Sequence, residues 1–485
     1  MERLSPLDAA FLEIEDEDPR AALAIASLAI AAGPAPAQDE FVAAITARLP
    51  QVPRYHQKIR RVPFDLAPPV WVDDDAFRPE DHFARLSVPS PHDDAALCEL
   101  VTLLMDERLD RDRPLWMLWV IEGLSEGRWA ILSKVHHSLT DGVSATGLQR
   151  VLFGAAEPPG LPAAPVPDPG RTRLLVSALG DLVSSPVTGI GHLVGSVLHP
   201  RALARRTTDV VRGLAALSTA LMPVAPSSLS GPLGHRRGYA VGQAALADIV
   251  TTAKAFDVTV NDVLLAAVTG GLRELLLRRG EDPAPDSVRS LVPVSVRNSA
   301  SVSEVDNRVS LLLPLLPVDL PDPVHRLLRV HRRVTTLKGN KESAAGEFVT
   351  GAAGTEPFAA SAWVMRAAAK LPQRNIVTVT TNVPGPPEPL SVAGREVLEL
   401  YPYVPIALRL RTGVAMLTYR DRVFFGVTAD RATVPDVRFL AETVVAEVAV
   451  LKAAAVSSAR TTPDPPDPAG GAGRWRDRSG ADPRP

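Results

Sequence analysis

Trp129-Ala130-Ile131-Leu132-Ser133-Lys134-Val135-His136-His137-Ser138-Leu139-Thr140-Asp141-Gly142 is the stretch on which the reading of this chain turns. The segment from Trp129 to Val135 is largely apolar and suits a strand, and Gly142 begins a helix-compatible stretch that runs to Leu152. A strand that hands over to a helix through two histidines, a carboxylate and a glycine has the composition of a catalytic loop. Neighbouring residues on a strand point to opposite faces, so His136 and His137 cannot serve one reacting atom unless the backbone bends between them. One imidazole is therefore expected to do chemistry and the other to hold structure. With a pKa near neutrality, such a ring can take a proton from a hydroxyl and later deliver it to a leaving group. Gly142 would permit a tight turn after Asp141.

Zinc is the other chemistry that histidines invite. A zinc site needs about three or four converging ligands. The motif offers at most one usable histidine and Asp141, and the chain holds no Cys-x-x-Cys and no His-Glu-x-x-His. No metal is expected.

Composition narrows the class further. Lysine and arginine number 52 against 55 acidic residues, a balance that lacks the basic footprint of a nucleic-acid binder. Cys98 is the single cysteine, which excludes an intrachain disulfide and a thiolate cluster and fits a reducing cytoplasm. The apolar run Ala21 to Gly33 follows an acidic stretch and is too short to span a bilayer, so neither a secretory signal nor a membrane span is expected there.

Working outward from the motif, Leu7 to Leu12 reads as a short helix, Ala22 to Ile30 as a buried strand and Met117 to Ile121 as another. Residues 160–170 are rich in Pro and Ala and mark a linker. Three basic, amphipathic helix-like segments follow between 171 and 222. They suit either an anionic membrane surface or packing on the protein itself. Val258 to Asp262 leads into a long helix for which Asn261 is a candidate N-cap. Val414 to Tyr419 and Val423 to Thr428 read as a hairpin, and Thr433 to Asp436 opens a final helix. The tail from Val456 to Pro485 is dense in Pro, Gly, Asp and Arg and is expected to be disordered.

The His-His-x-x-x-Asp-Gly motif, with Leu4-Ser5-Pro6-Leu7-Asp8-Ala9-Ala10-Phe11-Leu12, Pro114-Leu115-Trp116, Asn261-Asp262, Pro293-Val294-Ser295-Val296-Arg297 and Asn382-Val383-Pro384-Gly385-Pro386, resembles the bacterial wax ester synthase/diacylglycerol acyltransferase family. That family is related to chloramphenicol acetyltransferase and to the condensation domains of peptide synthetases. The resemblance implies an α/β fold of two chloramphenicol-acetyltransferase-like domains enclosing an active-site tunnel. Residues 1–155 would form the first domain, 156–230 the linker and basic helices, 231–455 the second domain and 456–485 the tail. It also implies acyl transfer from acyl-CoA, as co-substrate with no bound cofactor, to diacylglycerol or, alternatively, a long-chain alcohol. His137 would be the general base, in a catalytic motif with His136, Asp141 and Gly142. Asn261, Trp116, Arg297 and Asn382 would contact substrate, Asn261 as N-cap or as oxyanion donor and Trp116 chiefly as tunnel wall. Arg297 is the expected partner of Asp141. The enzyme would sit in the cytoplasm, peripherally on the inner face of the plasma membrane or on lipid droplets. The family usually carries a Met-His pair near the first strand and a Gly-Asn pair after Arg297. This chain lacks the first and has Asp306-Asn307 at the second, so a catalytically idle lipid-binding relative is a reading from another class.

Overall fold

A computed structural model describes residues 2–139, 151–154, 167–178, 223–295, 309–339, 375–386 and 388–461. Two six-stranded mixed sheets carry the fold. In the first, β1 (Ala24–Ala31) and β6 (Trp129–His136) are central, flanked by β5 (Trp116–Glu122) and β4 (Phe83–Ser87) on one side and by β12 (Arg395–Tyr403) and β11 (Ser391–Val392) on the other. Every residue of β6 is buried, as expected of a strand covered on both faces. The second sheet runs β7 (Arg237–Ala245), β14 (Arg422–Asp430), β13 (Thr412–Tyr419), β10 (Thr378–Val383), β8 (Ser290–Ser295) and β9 (Val309–Leu312). A separate pair, β2 (Gln57–Arg60) and β3 (Val70–Asp73), lies outside both sheets.

The helices that dress these sheets include α1 (Pro6–Glu17), α2 (Gln38–Thr46), α3 (Asp94–Asp106), α4 (Leu246–Ala255), α5 (Val260–Arg278), α6 (Pro323–Gly339) and α7 (Val437–Thr461). The centre of α5 is buried on all sides from Asp262 to Leu272, so it is a core helix of the second unit rather than an amphipathic surface helix.

Within residues 231–455, β11 and β12 cross to the first sheet, where Ala26 faces Tyr403 and Leu28 faces Tyr401. The alternation of Arg395 to Tyr403 suits any half-buried strand, and only tertiary packing selects its partner. The crossing requires Gly426, since a Cβ there would lie 1.7 Å from the Pro402 carbonyl oxygen, which also accepts the Tyr239 hydroxyl at 2.9 Å. At the other end, α7 continues to Thr461, past the expected start of the tail at Val456. Ala453, Ala454 and Ala455 favour helix, and Ala455 is buried. The start of α5 also departs from expectation, for its N-cap is Thr259 and not Asn261. Thr259 and Asp262 form a reciprocal capping box, a pattern that a hydroxyl three residues before a carboxylate encodes.

Candidate active site

β6 ends at His136, and His137 begins a single 3-10 turn to Leu139. The backbone therefore bends between the two histidines, and their rings reach different surroundings. His136 is 2% exposed. Its Nδ1 accepts the Ser138 backbone N–H at 3.1 Å and lies 2.7 Å from the Ser138 hydroxyl. That geometry assigns the ring proton to Nε2, which lies 3.4 Å from Glu15 Oε2, a charge–dipole contact longer than a good hydrogen bond.

Glu15 is the hub of this corner. It projects from α1, is 3% exposed, accepts the Leu23 N–H at 2.6 Å through Oε1 and binds the Arg111 guanidinium at 2.8 Å through Oε2. Burial pushes its pKa up, but contact with His136 and the donors from Arg111 and Leu23 outweigh burial and hold it down at about 2. Lys134, on the same face of β6 as His136, is 1% exposed; its ammonium donates to the Leu104 carbonyl at 2.7 Å and to that of Glu107, closing the C-terminal end of α3. Burial, against the pull of Glu107, Glu15 and Asp106, lowers its pKa to about 8.

His137 is half-buried, and its backbone N–H donates to the Leu23 carbonyl at 3.1 Å. Phe11 of α1 stacks on the ring with centroids 4.0 Å apart and planes inclined by 26°. Desolvation by the surrounding protein lowers the His137 pKa to about 4; its hydrogen bond to its own backbone carbonyl opposes this, and nearby His136 adds to it. A neutral imidazole is equipped to accept a proton.

Two other predicted residues meet in the second unit. Asn382, in β10, donates its amide to Asn261 Oδ1 at 3.4 Å, and Asn261 stands in the first turn of α5. Asn382 Oδ1 is buried and has no hydrogen-bond partner among the described residues, and the same holds for Oδ1 of Asp262, next to Asn261 in sequence. The second Asp262 oxygen holds the Thr259 cap and accepts from His331 of α6 at 2.8 Å. After Asn382 the chain runs through Gly385, where a Cβ would lie 1.7 Å from the Thr418 carbonyl oxygen, so β13 approaches this turn too closely for any side chain.

Trp116 lies elsewhere. It pairs with Val135 and thus faces the side of the sheet opposite His136. There it is 2% exposed, stacks on His82 at 4.4 Å and donates its indole N–H to the Tyr55 carbonyl at 2.9 Å. Asp141, Gly142 and Arg297 lie outside the described residues, as does most of the basic helical region after 178. Sequence reasoning missed Phe11, Glu15 and Arg111. Phe11 and Glu15 are four apart on α1 and share a face, a spacing that could have paired them.

Comparison with known proteins follows this geometry. Residues 4–264 match the family model described as the wax ester synthase/diacylglycerol acyltransferase catalytic domain, and residues 305–452 match that of the WS/DGAT C-terminal domain. The chain is 41% identical over 467 residues to a Mycobacterium tuberculosis protein named a probable diacylglycerol O-acyltransferase, tgs1, covering 95% of this chain and 97% of that one. A Mycobacterium bovis relative, named likewise, shows the same identity and coverage. Among solved structures, the chain is similar to the wax ester synthase/diacylglycerol acyltransferase from Marinobacter aquaeolei VT8 with a TM-score of 0.63 and 24% identity, covering 94% of this chain and 100% of that one. It shares its fold with the starter condensation domain of rhizomide synthetase, solved with C8-CoA, at a TM-score of 0.56, 15% identity and 94% coverage of each chain.

Proposed function

The chain belongs to the wax ester synthase/diacylglycerol acyltransferase family and is an acyltransferase, and from that premise we propose that it moves a long-chain acyl group from acyl-CoA to diacylglycerol, forming triacylglycerol. The observation that carries the acceptor assignment is the 41% identity, over nearly full length, to relatives named for diacylglycerol.

In the mechanism, the imidazole of His137 removes the proton of the acceptor hydroxyl as its oxygen attacks the thioester carbonyl. The tetrahedral intermediate collapses, the carbon–sulfur bond breaks, and the imidazolium returns the proton to the departing thiolate. The Asn261 amide supplies a hydrogen bond to the oxyanion, with Asn382 bound to its other end. The low pKa of His137 supports this role, because the ring stays unprotonated at neutral pH.

A water-insoluble acceptor favours work at a lipid surface, on the cytoplasmic membrane face or on a lipid droplet. Phe64, 83% exposed, and Val176, 64% exposed, support this reading, for they lie on segments joined through one small apolar cluster that also displays Arg171 and Arg173. Flotation of the Phe64→Asp variant with anionic liposomes tests the surface, and unchanged flotation would dismiss it. The acceptor is tested by giving the purified protein labelled acyl-CoA with diacylglycerol and hexadecanol side by side. Triacylglycerol is the expected product. Wax ester alone would reassign the acceptor, and no product from either would favour an idle lipid binder.

A further inference from the structure

We propose that Phe11 is a positioning residue for the His137 base, with α1 acting as a splint that Glu15 locks to the strand end. The proposal rests on the reading of His137 as the base. Two contacts clamp Leu23 on opposite sides: its N–H goes to Glu15 at 2.6 Å, and its carbonyl accepts the His137 N–H at 3.1 Å. Arg111 ties the same helix a second time, bonding Glu15 and the Leu12 carbonyl at 3.2 Å. Ser5 caps the start of α1 by accepting the Asp8 N–H. The helix is thus anchored along its length, and Phe11 lies one turn before Glu15 on the face that meets the histidines.

The consequence falls on the imidazole. The stack at 4.0 Å closes one face of the ring. Rotation away from the reacting position would have to break the stack. By covering that face Phe11 also keeps water from it, so Phe11 favours the aligned and unprotonated ring.

The test compares the wild type with Phe11→Leu, which keeps apolar volume without an aromatic face, and with Phe11→Tyr, which keeps the face. Phe11→Leu should lower kcat roughly ten- to a hundredfold with KM for acyl-CoA within about twofold, since misplacing a reacting group acts on the chemical step. Phe11→Tyr should restore most of kcat. Opening the ring to water should also carry the acidic limb of kcat/KM upward from about 4 toward the ordinary histidine value of 6.5. A Phe11→Leu enzyme with normal kcat and an unmoved acidic limb would overturn the proposal. Carbon-13 histidine NMR of the same variants reads the ring directly. If His137 titrates at a higher pH in Phe11→Leu while His137→Ala keeps full turnover, the splint stands as structure and the assignment of the base fails. An NMR titration identical to wild type sinks the splint whatever the turnover.

Discussion

The corner around His136 and the corner around Asn261 differ in how completely their polar atoms are matched. Around His136 both Glu15 oxygens accept hydrogen bonds, from Leu23 and Arg111, and the buried Lys134 ammonium has two carbonyl partners, while His136 Nε2, 3.4 Å from Glu15, makes no hydrogen bond. At the α5 start, Asn382 Oδ1 and Asp262 Oδ1 are both buried and unmatched among the described residues, and the asparagines are joined by a single 3.4 Å bond. A densely bonded network holds a geometry against thermal motion, whereas a sparsely bonded one keeps hydrogen-bonding capacity for something that binds. Substitutions in the first corner should therefore register mainly as stability, and those in the second mainly as rate, with His137 the exception that stands beside the first corner and acts as chemistry.

The largest effect tests that exception. His137→Ala should lose about a hundredfold to ten-thousandfold in rate while melting near the wild-type temperature. His136→Ala should do the reverse, melting lower with a smaller rate loss, and His136→Asn should recover part of the melt by offering Ser138 N–H an acceptor. Rates and thermal melts on both variants settle it; a reversed pattern would move the base to His136.

Next in size is the anchor. Glu15→Ala leaves the buried Leu23 amide without its acceptor and takes from Arg111 one of its partners, Asp16 and the Leu12 carbonyl remaining, and should cost about 1–3 kcal/mol in urea unfolding. A loss under about 1 kcal/mol would break the contrast between the corners. The pH dependence sharpens it. Glu15 has its folded pKa depressed from 4.5 to about 2, so its contribution is present above 4.5 and lost as pH falls toward 2. His137 is depressed from 6.5 to about 4, so the unfolded chain takes up its proton first and stability also declines as pH falls from 6.5 to 4. In the His137→Ala protein the upper of these two declines should flatten.

A smaller effect tests the second corner. Asn261→Ala should lower kcat roughly a hundredfold with little change in melting. At Asn382, the direction of the hydrogen bond matters more than its strength. Asn382→Ala merely frees Asn261, but Asn382→Asp replaces a donor with an acceptor and would turn the Asn261 amide end for end, aiming its oxygen where the oxyanion forms. The Asp variant should be the slower of the two, and an Asp variant as fast as wild type would remove Asn382 from the site. Smallest of all, Thr259→Ala should cost about 0.5–2 kcal/mol through loss of the cap alone.

What could be read from sequence follows the range of the interaction. The all-buried β6, its bend at His137, the β13–β14 hairpin and the core helix α5 carry local signals in apolar runs, turn residues and helical spacing. The capping box at α5 was equally local, in Thr259 and Asp262, yet Asn261 beside them drew the reading. Phe11, Glu15 and Arg111 come together only because α1 packs on the end of β6, and nothing in their own neighbourhoods names the partner. The same holds for β12, whose pattern fits either sheet. The meeting of Asn261 with Asn382 was foreshadowed by family resemblance, not by any property of the two segments.

The insertion of β12 beside β1 also sets a schedule for synthesis. β6 can pair with one edge of β1 early, but the other edge has no partner until residues 395–403 have left the ribosome. At roughly 5–20 residues per second that interval is on the order of tens of seconds. Throughout it, the uncharged run from Ala24 to Ala31 presents open backbone that a neighbouring nascent chain could capture. Slower elongation between β6 and β12 would lengthen the exposure, so the soluble fraction of newly made enzyme should fall as translation is slowed, and a fraction that stayed constant would show that another element shields β1 in the meantime.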